Sequence, residues 1–329
     1  MLRWLQRNIA AFGGDPGQVF LFGTSAGGGN LCALMTAPAA RGLFHGVAMQ
    51  SSVPTGCELP RLADMEQGTG QRVAQALGCG DAACLRSKSM AEIVRAVPGT
   101  FGVLPRLYGP VVDGQVFPEQ PLASIQRGAH QAMPVIIGND AQETMQFVNA
   151  VGPVTDAASY AVAVGKTFGP EPVERILATY PAGAYPTPRQ ALVQLTTDAL
   201  FTCQSRRVAR SLSAHQQQPV YRYFFDHALL NDPEQSALGA VHTVEHMFLF
   251  PWQGSYRPTA DDLAVQQLMV GAWSRLAREG TLRGDPSGWP QAQPGDAYLR
   301  IGPQPAVRRD DDSAHCDFWD TVRLPWPHL

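Results

Sequence analysis

Apolar residues at Leu2, Leu5, Ile9 and Phe12 recur near helical spacing and predict an amphipathic helix over residues 2–12. Gly13 and Gly14 can end it, and Asp15-Pro16 marks a turn. The pattern then changes. Val19-Phe20-Leu21-Phe22 is apolar at consecutive positions, as expected of a strand in a parallel sheet covered on both faces. Further strands are predicted at Gly46–Gln50, Met133–Ile137, Val220–Phe225 and Ala297–Ile301. Helical stretches near 62–77, 157–179, 188–214 and 261–279 separate them. Strands alternating with helices imply an α/β fold with a mainly parallel sheet. No internal repeat is visible. Residues 1–329 read as one domain, with 148–218 as a helical insertion over the sheet.

Composition agrees with this picture. A chain of 329 residues with 45% apolar content can bury a large core. A formal net charge of -3 gives no nucleic-acid footprint and no basic membrane-binding face. No apolar run reaches transmembrane length, and Met1-Leu2-Arg3-Trp4 reads as helix rather than as a signal peptide. Only 16% of residues are charged, while Gly and Pro number 32 and 27, which suits a loop-rich enzyme better than a coiled coil or a disordered chain.

The candidate chemistry begins at Gly23-Thr24-Ser25-Ala26-Gly27, a G-x-S-x-G segment placed between a predicted strand and a helix-compatible stretch. Such a turn lifts the serine hydroxyl clear of the sheet. It also aims the N-terminus of the next helix at a developing oxyanion, with the backbone N–H of Ala26 as one donor. A serine nucleophile needs a general base, and the base needs an orienting carboxylate. Asp140 and Glu143 both lie in the loop expected after Met133–Ile137, and His227 and His242 both follow Val220–Phe225. The residues alone do not choose within either pair. No motif surrounds His45, His130, His215, His315 or His328, and no cluster suggests a metal or cofactor.

The combined motifs resemble the type B carboxylesterases, the group that includes the cholinesterases. The resemblance rests on Leu2-Arg3-Trp4 with Asn8–Pro16, the Gly23–Gly28 elbow and Tyr108-Gly109-Pro110-Val111-Val112-Asp113-Gly114. It continues with Ile137-Gly138 followed by Glu143, and with Gly239-Ala240-Val241-His242 followed by Glu245. Gly271-Ala272-Trp273 and Trp289-Pro290 complete it. It implies an α/β-hydrolase fold and a Ser25–His242–Glu143 triad, favouring Glu143 over Asp140 and His242 over His227. It also implies buried hydrogen-bonding support from Ser51 and Glu245. Cys79 and Cys84 resemble the family's local disulfide loop, and Cys203 and Cys316 resemble a long-range pair. Disulfides would imply an oxidising compartment and an exported protein. Cys32 is expected to face the core, and Cys57 is left unassigned.

Two departures stand out. The family has Glu before the nucleophile, where this chain has Thr24. Members also begin well upstream, so the first strands and a glycine-rich oxyanion loop are expected to be missing from this chain. The loss of one oxyanion donor typically costs about 2.7–4 kcal/mol in the barrier. The sequence therefore reads as an N-terminally truncated carboxylic ester hydrolase that works through an acyl-enzyme on a small-molecule ester. The competing reading is an inactive fragment or a non-enzymatic adhesion relative, but all three triad residues are present.

Overall fold

The computed structural model describes residues 1–52, 57–97, 109–252, 254–293, 295–310 and 312–322. Tyr108 and His328 lie outside these residues. The centre of the molecule is a six-stranded sheet in sequential order: β1 (Phe20–Thr24), β2 (Gly46–Gln50), β3 (Val135–Asp140), β4 (Val220–Phe225), β5 (Ala297–Ile301) and β6 (Ala306–Arg309). The first five run parallel, and β6 pairs antiparallel with β5.

Pleating sorts the side chains to two faces. Val47, Met49, Val135, Ile137 and Val220 join one core cluster, and Ala48, Ile136, Tyr221, Tyr223 and Phe225 join the other. Strands β2, β3 and β4 are therefore largely apolar at successive positions, the pattern of a parallel sheet with helices on both sides. Arg222 is the exception on β4. Its guanidinium stays buried by pairing with Asp312 and lying 4.9 Å over the Tyr298 ring.

Strands β2, β4 and β5 fall on the predicted residues. The others differ. β1 begins one residue later than predicted and runs on to Thr24, and its Phe22 is 45% exposed rather than covered. β1 is an edge strand, since no described residue pairs with its outer side. β3 begins at Val135 and continues to Asp140, so Asp140 ends a strand and only Glu143 lies in the loop beyond. β6, rich in arginine and largely exposed, carries no apolar signal and was not anticipated.

The predicted helices break where local chemistry intervenes. Leu2–Asn8 gives way to a 3-10 turn at Ile9–Phe12. The stretch 157–179 divides into Ala157–Phe168 and Val173–Thr179 around Gly169-Pro170, because proline cannot continue a helix. A π turn at Asp198–Thr202 joins Pro188–Thr197 to Cys203–His215.

All six cysteines are paired: Cys32 with Cys57, Cys79 with Cys84, and Cys203 with Cys316. Cys32–Cys57 places the residue that the sequence left unassigned and ties the helix after Ser25 to the loop after β2. Cys203–Cys316 spans 113 residues, and in the loop-entropy account a closure of that length is worth about 4–5 kcal/mol.

Candidate active site

Parallel strands bring the ends of β1, β2 and β3 to one edge of the sheet, and the candidate residues follow those ends. Ser25 comes directly after β1 with φ 59° and ψ -120°, a left-handed backbone that a non-glycine residue adopts only when its surroundings hold it there. Two glycines make the turn possible. A Cβ at Gly23 would stand 2.9 Å from the Gly27 carbonyl carbon, and one at Gly28 would stand 2.9 Å from the Gln50 carbonyl oxygen. Ser25 N–H donates to that same Gln50 carbonyl at 2.9 Å, pinning the elbow to β2. The helix Ala26–Thr36 starts immediately, so Ala26 presents a first-turn N–H that has no partner within the helix.

Glu143 and His242 meet. Nδ1 of His242 lies 2.5 Å from Glu143 Oε2, with Glu143 fully buried and His242 nearly so. The second carboxylate oxygen, Oε1, accepts the Asp140 backbone N–H at 2.7 Å. Nδ1 thus faces the buried carboxylate, and Nε2 lies on the other side of the ring. Phe147 and Phe201 set their rings 5.1 and 5.3 Å from the imidazole, giving it apolar walls.

Asp140 and His227 sit elsewhere in the chemistry. Asp140 is wholly buried, and burial together with the charges of Glu245 and Glu143 pushes its carboxyl well above the ordinary carboxylate range. His227 Nε2 bonds Asp262 Oδ1 at 2.7 Å. Asp262 also takes the Tyr256 hydroxyl and the Thr259 N–H, closing a capping box on the helix Ala260–Glu279. Burial opposes ionisation of Asp262, but the bonds from Thr259, Tyr256 and His227 outweigh it and lower its pKa.

Ser51 and Glu245 are both fully buried. Ser51, at φ 44°, donates its backbone N–H to the Gly138 carbonyl, and its hydroxyl has no hydrogen-bond partner among the described residues. Glu245 faces the residue before Ser25: Thr24 Oγ1 donates to Glu245 Oε1 at 3.1 Å and lies 2.8 Å from His246 Nε2. Thr24 has one proton, so His246 Nε2–H must donate into it. Gln50 Nε2 adds a 3.3 Å contact to Glu245 Oε1, and Trp273 Nε1 lies 3.4 Å from Gln50 Oε1. The elbow of Ser25 is thus bonded to residues three and four places beyond His242.

Sequence reasoning missed Gln142, Gln50 and His246. Gln50 left a signal, a lone polar residue closing the apolar strand beside the elbow.

A model of the carboxylesterase family matches residues 1–319. The chain belongs to the carboxylesterase family. Its sheet and elbow are those of the α/β-hydrolase fold. Acylcarnitine hydrolase of Mus musculus is 30% identical over 98% of the chain and 60% of its own length. Cocaine esterase of Homo sapiens is 30% identical over 97% of the chain and 60% of its own length. Para-nitrobenzyl esterase of Bacillus subtilis (strain 168) is 28% identical over 88% of the chain and 59% of its own length. The chain spans about 60% of the length of such carboxylesterase relatives. Among the described residues, no helix is long and apolar enough to cross a membrane.

Proposed function

We propose that this carboxylesterase-family protein is a carboxylic ester hydrolase in which Ser25, His242 and Glu143 form the triad. The observation that carries the proposal is the buried bond between His242 Nδ1 and Glu143 on the loop bonded to the Ser25 elbow. The substrate is a small-molecule ester, as the names of the esterase relatives suggest.

The reaction follows from the groups. Ser25 Oγ attacks the ester carbonyl carbon while its proton passes to His242 Nε2. Glu143 holds the other side of the ring and stabilises the imidazolium without taking the proton. The carbonyl oxygen gains charge near the Ala26 N–H at the helix start. Collapse expels the alcohol, which leaves with the proton from His242, and Ser25 stays acylated. Water then gives a proton to His242, attacks the acyl carbon, and releases the acid as Ser25 regains its proton. Residues 1–329 act together in this reading. The helical segment 148–218 lends Phe201 to the wall beside His242. Glu245 ties the histidine loop to the Ser25 elbow through Thr24 and Gln50. The disulfides suit an exported protein.

The test is pre-steady-state hydrolysis of a p-nitrophenyl ester. The proposal expects a burst of one p-nitrophenol per active site followed by a slower steady rate, both lost in Ser25→Ala. Retained turnover in Ser25→Ala overturns it.

A further inference from the structure

The segment that follows His242 runs along the strand that leads to Ser25. His246 Nε2 stands 2.8 Å from Thr24 Oγ1, and the Phe250 ring lies with its centroid 6.1 Å from that of Phe22. Thr24 and Phe22 share one face of β1, because side chains alternate along a strand. His246 and Phe250 also meet each other, with centroids 6.2 Å apart and planes nearly perpendicular. Among the described residues β1 is hydrogen-bonded along one side only, to β2. The strand end that carries the elbow therefore depends on what its side chains grip.

The direction of the bonds can be worked out. Thr24 Oγ1 lies 3.1 Å from Glu245 Oε1. A carboxylate oxygen only accepts, and a threonine hydroxyl has one proton. That proton goes to Glu245, which leaves the hydroxyl oxygen to accept Nε2–H of His246. The imidazole thereby aims the threonine proton at the carboxylate. Glu245 Oε1 also receives Gln50 Nε2 at 3.3 Å, and the Gln50 carbonyl accepts the Ser25 N–H at 2.9 Å. The residue before Ser25 and the residue bonded to its N–H so converge on one buried oxygen. Ser25 needs such support, since φ 59° and ψ -120° persist only where the surroundings over-determine them.

We propose that Thr24 and His246 form a latch that positions Ser25 relative to His242. Both are positioning residues, acting through the backbone of Ser25 and through the loop that carries His242. His246 and Glu245 belong to one 3-10 turn, Val244–Phe248, which begins two residues after His242. A displacement of His246 is therefore passed to His242 over a short, bonded path. Threonine suits position 24 because one hydroxyl both accepts and donates. An ionised glutamate there would only accept, and a valine would do neither.

The effect on turnover rests on the triad reading; the latch itself does not. Its direct test is NMR of the protein with 15N-labelled histidines and without substrate. The neutral His246 ring should carry its proton on Nε2, and that resonance should move in Thr24→Val. A proton on Nδ1 instead overturns the latch, whatever becomes of the triad. The wild-type tautomer can be read even where a variant fails to fold.

Kinetics on a p-nitrophenyl ester form the second arm. Thr24→Val should lower kcat about tenfold with KM within about threefold of wild type. Thr24→Ser keeps the hydroxyl and should recover most of that loss. His246→Leu removes the donor and should lower kcat about fivefold, and His246→Gln, which restores an N–H, should recover part of it. Because both residues act on one bond, the double variant of Thr24→Val and His246→Leu should stay within about twofold of Thr24→Val alone. Losses that multiply, an unchanged kcat in Thr24→Val, or a Ser variant no better than Val overturns the proposal. Full activity in Ser25→Ala, with His246 still protonated on Nε2, would sink the triad and leave the latch standing.

Discussion

Gln142 holds Ala240 twice. Its backbone N–H donates to the Ala240 carbonyl at 2.8 Å, and its side-chain oxygen accepts the Ala240 N–H at 2.7 Å. Gln142 is the residue before Glu143, and Ala240 lies two before His242, so this clasp sets the register between the acid loop and the histidine loop. Gly239 makes room for it, since a Cβ there would stand 2.4 Å from the Gln142 side-chain oxygen.

Removing the clasp should loosen the Glu143–His242 bond while leaving both residues in place. Gln142→Ala should lower kcat for a p-nitrophenyl ester by about tenfold, with KM within about threefold of wild type. A loss confined to KM would place the clasp in substrate binding instead.

The elbow glycines are constrained by backbone atoms that cannot swing aside. Gly28→Ala would press a Cβ against the Gln50 carbonyl and the Ser52 hydroxyl. Overpacking of this kind costs about 1–3 kcal/mol. Chemical denaturation should show that loss, whereas Gly27→Ala, where a Cβ meets nothing, should lie close to wild type.

His227 gives the control for the histidine assignment. It bonds a carboxylate that caps a helix, so its role is in stability. His227→Ala should reduce unfolding free energy by about 1–3 kcal/mol through the lost buried bond. Its kcat should stay within about twofold of wild type. A collapse of kcat in well-folded His227→Ala would contradict the choice of His242.

How much of this was legible in the sequence varies by residue. β2, β4 and β5 could be read because burial on both faces writes continuous apolar runs. The end of β3 could not, because Gly138, Asn139 and Asp140 resemble a turn and are held in the sheet by pairing with Tyr223, Phe224 and Phe225. That misplacement left Asp140 and Glu143 looking like equals in one loop. Ser25 was visible from its local context alone. Glu143 and His242 were chosen only through the family resemblance, because a bond between residues 99 apart has no local signature.

Stability should also depend on pH through the helix Ser313–Trp319, which carries His315. His315 Nδ1 lies 3.1 Å from Asp198 Oδ2, and that bond raises the histidine pKa above its ordinary 6.5 despite partial burial. A folded pKa above the unfolded one gives stability that is fully present below about pH 6.5 and lost as pH rises through the folded value. Thermal melts should therefore show a component of Tm that falls across the neutral range, and Asp198→Asn should flatten it. An identical pH profile in that variant would remove the pair from the account.

The central claim, that Ser25 is the nucleophile activated by His242, is tested most directly by active-site phosphonylation read by mass spectrometry. A fluorophosphonate should form one adduct per chain on the peptide carrying Ser25. Labelling should vanish in Ser25→Ala and slow by about a hundredfold or more in His242→Ala. An adduct on another serine, or labelling undiminished in His242→Ala, would contradict the claim.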